Sequence, residues 1–403
     1  MADAHSTAQV RRRVAIDALG RELSGDAGSA AGRLAAMLDQ KRSMFVSADI
    51  DGLVSAAMLA SVAPRFRVVA FSVQSSRWLV HPSVVNNVPE SMFGVDLFSV
   101  NHDNVSNHVV TWGHKKSKNV PVRQAFELWD KLVENAAEER LLAVPAIWAQ
   151  TQGGYEDAGI ADSSNYKYPF GTAQILLAML EAAGRGPKFY DRTYLPWLVA
   201  NCDGGIETYS RYANNARVWW PVMAGAVGPG SLTEQIFRMV DTMRPHDFLD
   251  AVHRLDRERQ ASGRERWLND KWNLYNGSRE VIQSALQWLV ELTGWDDPVL
   301  DGTDRLDEWQ MLPVEDSAQV YYTSAGPSAA AFDANPTWVK AKDDPQLAAR
   351  LIVSAAKALN ANFFMGGQSG SRFNWVGGWD HTHPTAPLVT AAPDVAPPEL
   401  TLL

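Results

Sequence analysis

Two aspartates stand two residues apart in Asp49-Ile50-Asp51-Gly52, directly after the apolar run Met44-Phe45-Val46. Carboxylates spaced across a turn suit a hard divalent cation such as Mg²⁺ or Mn²⁺. The same pattern also describes a solvated helix N-cap. Gly52 reads as the residue that frees the backbone for a tight turn, and Ser55 as a local hydrogen-bonding partner in the first helical turn. Two further acids repeat the placement. Asp96 follows the apolar segment 92–95, and Asp203 follows 195–200. His114, after 109–112, is a nitrogen ligand candidate, and His102 beside Asp103 is the alternative near Asp96. Acids at the carboxyl ends of strands lie where open α/β sheets bind their ligands.

The elements that must position these groups are readable in outline. Segment 44–47 is a strand, 53–63 an Ala-rich helix, and 67–73 a second strand. This is the start of a parallel α/β sheet. Segments 92–97 and 109–112 are further strand candidates, and 124–142 is helical. A Gly/Asp/Ser-rich loop spans 151–165. Segment 171–183 is an amphipathic helix stopped by Gly184. Segment 224–230 reads as a Gly/Pro connector, and 233–295 as mostly helical, with a solvated charge-dense middle at 254–266. A strand at 320–323 and a helix at 345–360 precede the glycine run Gly366-Gly367-Gln368-Ser369-Gly370-Ser371-Arg372. The last twenty residues hold five prolines and read as an extended tail.

Composition limits the function classes. The chain has 403 residues, 46% hydrophobic and 21% charged, as a globular protein of two or three domains would. Its net charge of −9 excludes a global positive field that would draw it onto nucleic acid or anionic membrane, so phosphate groups need a local site. One cysteine, Cys202, excludes an internal disulfide and a thiolate metal cage. No segment approaches the ~18 consecutive apolar residues of a spanning helix. Arg11-Arg12-Arg13 lacks the apolar stretch of a secretory signal, and the expected location is the cytoplasm. The fifteen tryptophans are expected mostly in the core or at interfaces.

The run Met44-Phe45-Val46-Ser47-Ala48-Asp49-Ile50-Asp51-Gly52 resembles the first motif of the DHH phosphoesterase superfamily, which includes RecJ-type exonucleases and nano-RNases. Gly94-Val95-Asp96-Leu97 is similar to its second motif. Gly113-His114-Lys115 stands near the place of the third, with Asn101-His102-Asp103 as the other placement. The segment from Phe170 to Leu176 resembles the helix before the fourth motif, and Asn201-Cys202-Asp203 that motif itself. The run from Gly366 to Arg372 is similar to the glycine loop of the family's associated substrate-binding domain.

The resemblance implies a parallel-sheet DHH-type domain at 43–222, after N-terminal helices at 1–42. It implies a helical connector at 223–300, a smaller α/β substrate-binding domain at 301–385 and a tail at 386–403. It further implies one Mn²⁺ or Mg²⁺ held by Asp49, Asp51, Asp96 and Asp203. His114 and Lys115 would act in catalysis, and Gly366, Gly367, Gln368, Ser369, Gly370, Ser371 and Arg372 would bind substrate. The expected activity is phosphodiester hydrolysis of short oligonucleotides or nucleotides. Ser47, Gly113, Lys115 and Gln368 depart from the motifs where histidine or aspartate is usual. Those departures leave a second expectation open: a catalytically silent member serving as a scaffold or binding subunit, with a protein partner or as a homodimer.

Overall fold

The computed structural model describes residues 2–73, 76–87, 89–108, 118–151, 169–188, 213–242, 277–314, 317–322, 328–333, 337–355 and 372–379. It also describes the single positions 199, 202, 244, 246, 247, 250, 254, 257 and 335. Elements are numbered below in chain order among these residues.

The chain opens with two helices, α1 (Ala2–Glu22) and α2 (Ala30–Met37), then enters β1 (Arg42–Ser47). α3 (Ile50–Val62) carries it across to β2 (Phe66–Val73), parallel to β1. β3 (Arg77–Val80) returns antiparallel along β2. β4 (Met92–Val95) and β5 (Asp103–Val105) extend the sheet on the other side of β1. α4 (Val120–Glu139), β6 (Leu142–Ala143) and α5 (Pro145–Thr151) follow. The seven-stranded sheet has the order β6-β5-β4-β1-β2-β3-β7. Its seventh strand, β7 (Gln310–Pro313), comes from far along the chain and pairs antiparallel with β3. The protein is therefore α/β, with a mostly parallel sheet.

Alternation along β1 explains why the sheet is covered on both faces. Met44 and Val46 join the main core, while Phe45 points to a second cluster with Val69, Trp78, Val80 and Trp379. Trp379 stacks on Phe45 with ring centroids 5.9 Å apart and meets Trp78 edge-on at 5.7 Å. Each indole N–H finds a carbonyl: Trp78 donates to Gly377 and Trp379 to Val85, both at 2.9 Å. Tryptophans thus serve as core, and aromatic contacts of this kind add about 0.5–1.5 kcal/mol beyond area burial.

α6 (Thr172–Ala182) packs against α3 in the main core, and Gly184 after it adopts φ +66°, as its role as a helix stop requires. α7 (Ala213–Val227), with Pro221 inside it, takes in the first four residues of the 224–230 segment expected as a connector; Gly228-Pro229-Gly230 then leave the helix, with Gly228 at φ +106° and Gly230 at φ +82°. Buried Trp219, Trp220, Met223 and Ala224 anchor that helix, and the Gly-Pro-Gly signal ends it. α8 (Leu232–Thr242) and α9 (Arg279–Thr293) are the described helices of the expected helical stretch.

A second sheet has three strands in the order β10-β8-β9, from β8 (Ser317–Tyr321), β9 (Trp338–Lys340) and β10 (Arg372–Val376). α10 (Ala329–Asp333) lies between β8 and β9 in the chain. α11 (Pro345–Ser354) packs on α4, and Phe373 of β10 meets Phe126 and Trp129 of α4 edge-on. Among the described residues no helix is long and apolar enough to cross a membrane.

Candidate functional site

The first acidic turn is built by the end of β1 and the start of α3. Asp49 is the N-cap of α3: its Oδ1 accepts from the Gly52 N–H at 2.9 Å, while its Oδ2 accepts from Ser47 Oγ at 2.6 Å. Both the capping role and the strand-end placement read from the sequence are therefore present in one residue. Gly52 does not supply a turn conformation. It is the third helical residue, and a Cβ there would lie 2.1 Å from the Ser47 carbonyl oxygen. Glycine is needed for closeness, not for torsional freedom. Ser55 is fully buried, and its Oγ has no hydrogen-bond partner among the described residues, so the expected local bond is not formed.

Asp51, at 1% exposure, faces the N-terminus of α6. Its Oδ2 accepts from the Thr172 N–H at 2.8 Å and its Oδ1 from the Ala173 N–H at 2.7 Å. A carboxylate here satisfies two orphan donors of α6 and meets the positive end of its dipole. Asp96 ends β4 in the left-handed region, φ +55°, which aspartate tolerates better than most side chains. It is wholly buried, and its Oδ1 accepts from Thr172 Oγ1 at 2.6 Å. Just after β5, Asn107 donates its backbone N–H to the same Thr172 Oγ1 at 2.9 Å. Its Nδ2 lies 3.5 Å from Asp51 Oδ2. His108 places Nε2 3.6 Å from Asp96 Oδ1.

The strand order explains the convergence. From β1 the chain passes to β2 on one side, whereas β4 and β5 lie on the other. The gap between the carboxyl ends of β1 and β4 is thus a topological switch point, the usual ligand crevice of an open α/β sheet. Asp49 and Asp51 stand on one side of it, with Asp96 and His108 on the other.

Burial is the largest reason that the Asp51 carboxyl is pushed well above the usual range; the charges of Asp96 and then Asp49 add to it. The amides of Ala173 and Thr172 pull the other way without cancelling it. Because folding raises this group above its unfolded value, the folded chain binds the proton more tightly. Its stabilising contribution is full below the ordinary carboxylate range and is lost as pH rises through the raised value. Asp51→Asn is therefore expected to narrow the difference in urea midpoint between pH 5 and pH 8. An unaltered pH dependence in the variant would contradict this assignment.

Compared with protein-family models, with curated proteins and with solved structures, the chain matches none.

The site gathers Asp49, Asp51 and Asp96 as the strand-end pattern implied. Asp203 lies outside the described residues, but its neighbour Cys202 is buried with Sγ 4.0 Å from the Ile50 carbonyl, beside the first turn of α3. Gln174 in the first turn of α6 donates to the Val199 carbonyl. His114 and Lys115 also lie outside the described residues, as do Gly366, Gly367, Gln368, Ser369, Gly370 and Ser371. Arg372 opens β10 and pairs across from Tyr321.

The alternative pair, His102 and Asp103, belongs elsewhere. Asp103 pairs across from Phe93 and bonds Arg42 at the start of β1 and the Leu141 N–H before β6. That is the amino-terminal edge of the sheet, opposite the acids. The residues missed from sequence are Asn107, His108 and Thr172. The signal for the first two is weak: they follow a three-residue strand, Asp103-Asn104-Val105, with little apolar character.

Proposed function

We propose that the chain is a divalent-metal-dependent phosphodiesterase of the DHH type, acting on short oligonucleotides or nucleotides. The observation that carries this reading is the meeting of Asp49, Asp51, Asp96 and His108 at the switch point of the parallel sheet. The donors fit one hard cation in kind: carboxylate oxygens with one imidazole. Burial raises the Asp51 carboxyl most, and the charges of Asp96 and then Asp49 add to it; a bound cation would offset the part due to those two charges. Among the described residues, no three such side chains are already drawn together as a cage. Asp203, placed by the resemblance in the fourth motif, would complete the set beside Cys202.

When bound, the cation would polarise the phosphodiester and lower the pKa of an attacking water. Asp49, Asp51, Asp96 and Asp203 would hold it. His108, rather than His114, would be the imidazole beside Asp96, placed to hold the ion or to pass a proton to the leaving oxygen. The run from Gly366 to Arg372 would cradle a substrate phosphate with backbone N–H groups and the Arg372 guanidinium. The net charge of −9 suits a small substrate held at a local site, and a cytoplasmic location accompanies that reading.

A specific observation favours the second reading, a catalytically silent scaffold or binding subunit. Both Asp51 oxygens already serve α6, and Asp96 is bonded by Thr172, so the fold uses its own acids as struts. Hydrolysis of labelled di- to pentanucleotides and cyclic dinucleotides with Mn²⁺ separates the two. Turnover by the wild type that falls to background in Asp96→Asn and in the Asp49→Asn/Asp203→Asn double variant supports the enzyme. Asparagine at 96 tolerates the left-handed backbone, so the fold is expected to survive. No turnover by a folded wild type, together with no Mn²⁺ retained, turns the assignment to the scaffold.

A further inference from the structure

We infer that Thr172 is a positioning residue for this site, an inference that rests on the cation-dependent reading above. Thr172 is the first residue of α6 and is fully buried. It touches the segments that follow three different strands, the first turn of α3 among them. Its N–H donates to Asp51 Oδ2 at 2.8 Å, after β1. Its Oγ1 donates to Asp96 Oδ1 at 2.6 Å, after β4. The same Oγ1 accepts the Asn107 N–H at 2.9 Å, after β5.

A hydroxyl has one hydrogen, and an amide N–H can only donate. The Asn107 bond therefore occupies a lone pair of Oγ1 and leaves its hydrogen for Asp96. The direction of both bonds is fixed by the backbone. A hydroxyl bonded to a carboxylate at 2.6 Å is a short, charge-assisted pair. It ties down one oxygen of the Asp96 carboxylate and so limits how the group can turn. The β-branched side chain adds stiffness at χ1. Asp96 sits on a left-handed backbone that few residues adopt, so its aim depends on such a neighbour. Thr172 holds Asp96 by its side chain and Asp51 by its backbone, and so fixes the spacing of two proposed ligands from opposite sides of the switch point.

The side-chain part of this role is separable by substitution. Thr172→Val keeps the branch and the backbone bond to Asp51 but removes the hydroxyl. Thr172→Ser keeps the hydroxyl. Mn²⁺ binding to the purified full chain, read from the loss of the free-ion EPR signal and by calorimetry, gives a readout independent of turnover. Removing a partner that orients a metal ligand commonly weakens metal binding about 10–100-fold. T172V is expected to show a loss of that size, and T172S to stay within about threefold of wild type. Should T172V fail to fold, Thr172→Ala, which leaves room for a water between Asp96 and Asn107, is read against the same expectation.

A stable T172V or T172A that binds Mn²⁺ as the wild type does overturns the inference and leaves the cation reading standing. A wild type that binds no Mn²⁺ overturns both. Weakened binding in T172V with rescue in T172S supports it, because a role confined to packing changes thermal stability without that pattern in affinity.

Discussion

Gly52→Ala is expected to destabilise the protein by about 3 kcal/mol or more, a cost at the upper end of overpacked positions. The new Cβ would stand 2.1 Å from the Ser47 carbonyl oxygen and 3.0 Å from its carbon, both backbone atoms. Ser47 has nowhere to retreat. It pairs with Ser72 in β2, and the next residue, Ala48, donates its N–H to the Ser72 carbonyl at 2.9 Å. Relief must come from α3 moving away from the sheet. That movement breaks the Gly52 N–H bond to Asp49, a cap worth about 1 kcal/mol. It also carries Asp51 away from the α6 amides. Stability and Mn²⁺ binding should therefore fall together.

Gly20 is the internal control. It lies in α1 with nothing within 4 Å of an added Cβ, so Gly20→Ala should stabilise by about 0.5–1 kcal/mol. Urea unfolding of both variants checks the pair. G52A unfolding at the wild-type midpoint would show that the approach of α3 to β1 is not as close as stated.

The parts of this fold legible in the sequence are those with a local cause. β1 and β4 are short apolar runs ended by acids, and α6 has an amphipathic face with Gly184 behind it. Asp49, Asp51 and Asp96 could be assigned to strand ends because the strands announce themselves. What escaped depends on partners distant in the chain. β5 is three residues long, and two of them are polar, so it lacks both a hydrophobic run and a visible period. The strand expected at 109–112 lies outside the described residues; that expectation directed attention to His114 and past His108. β7 reads as a strand only once β3 is there to pair with it, some 230 residues earlier.

Thr172 carries no signal of its own, because its chemistry comes from Asp51 and Asp96, more than 70 residues away. The character of Asp51 was hidden for the same reason. A carboxylate two residues into an exposed helix would be a solvated cap, and only α6 laid against it makes it buried and proton-retaining.

His102 gives the second large effect, and it acts on stability from the edge of the sheet opposite the site. It lies half-buried just before β5, and its Nε2, itself buried, has no hydrogen-bond partner among the described residues. Burial, with the Arg140 guanidinium adding to it, pushes its pKa down from 6.5 to about 4. The folded chain therefore holds the neutral ring, while the unfolded chain takes up a proton below pH 6.5. The stability tied to the neutral ring is complete above 6.5 and is lost as pH falls towards 4. A change of that size corresponds to about 3 kcal/mol. Asp51 has the opposite slope, because its raised carboxyl favours the folded state at the acidic end.

The two are separated by substitution. His102→Gln cannot titrate and should remove about 3 kcal/mol from the stability lost between pH 7.5 and pH 4. It should leave Mn²⁺ affinity unaltered, since Asp103 and Arg42 beside it belong to the amino-terminal edge. Urea midpoints measured across that range for wild type, H102Q and D51N decide the matter. If H102Q loses as much stability in acid as the wild type, the neutral ring is not what the fold protects there. If its Mn²⁺ affinity falls as well, the two edges of the sheet are coupled, and His102 has to be counted among the groups that shape the site.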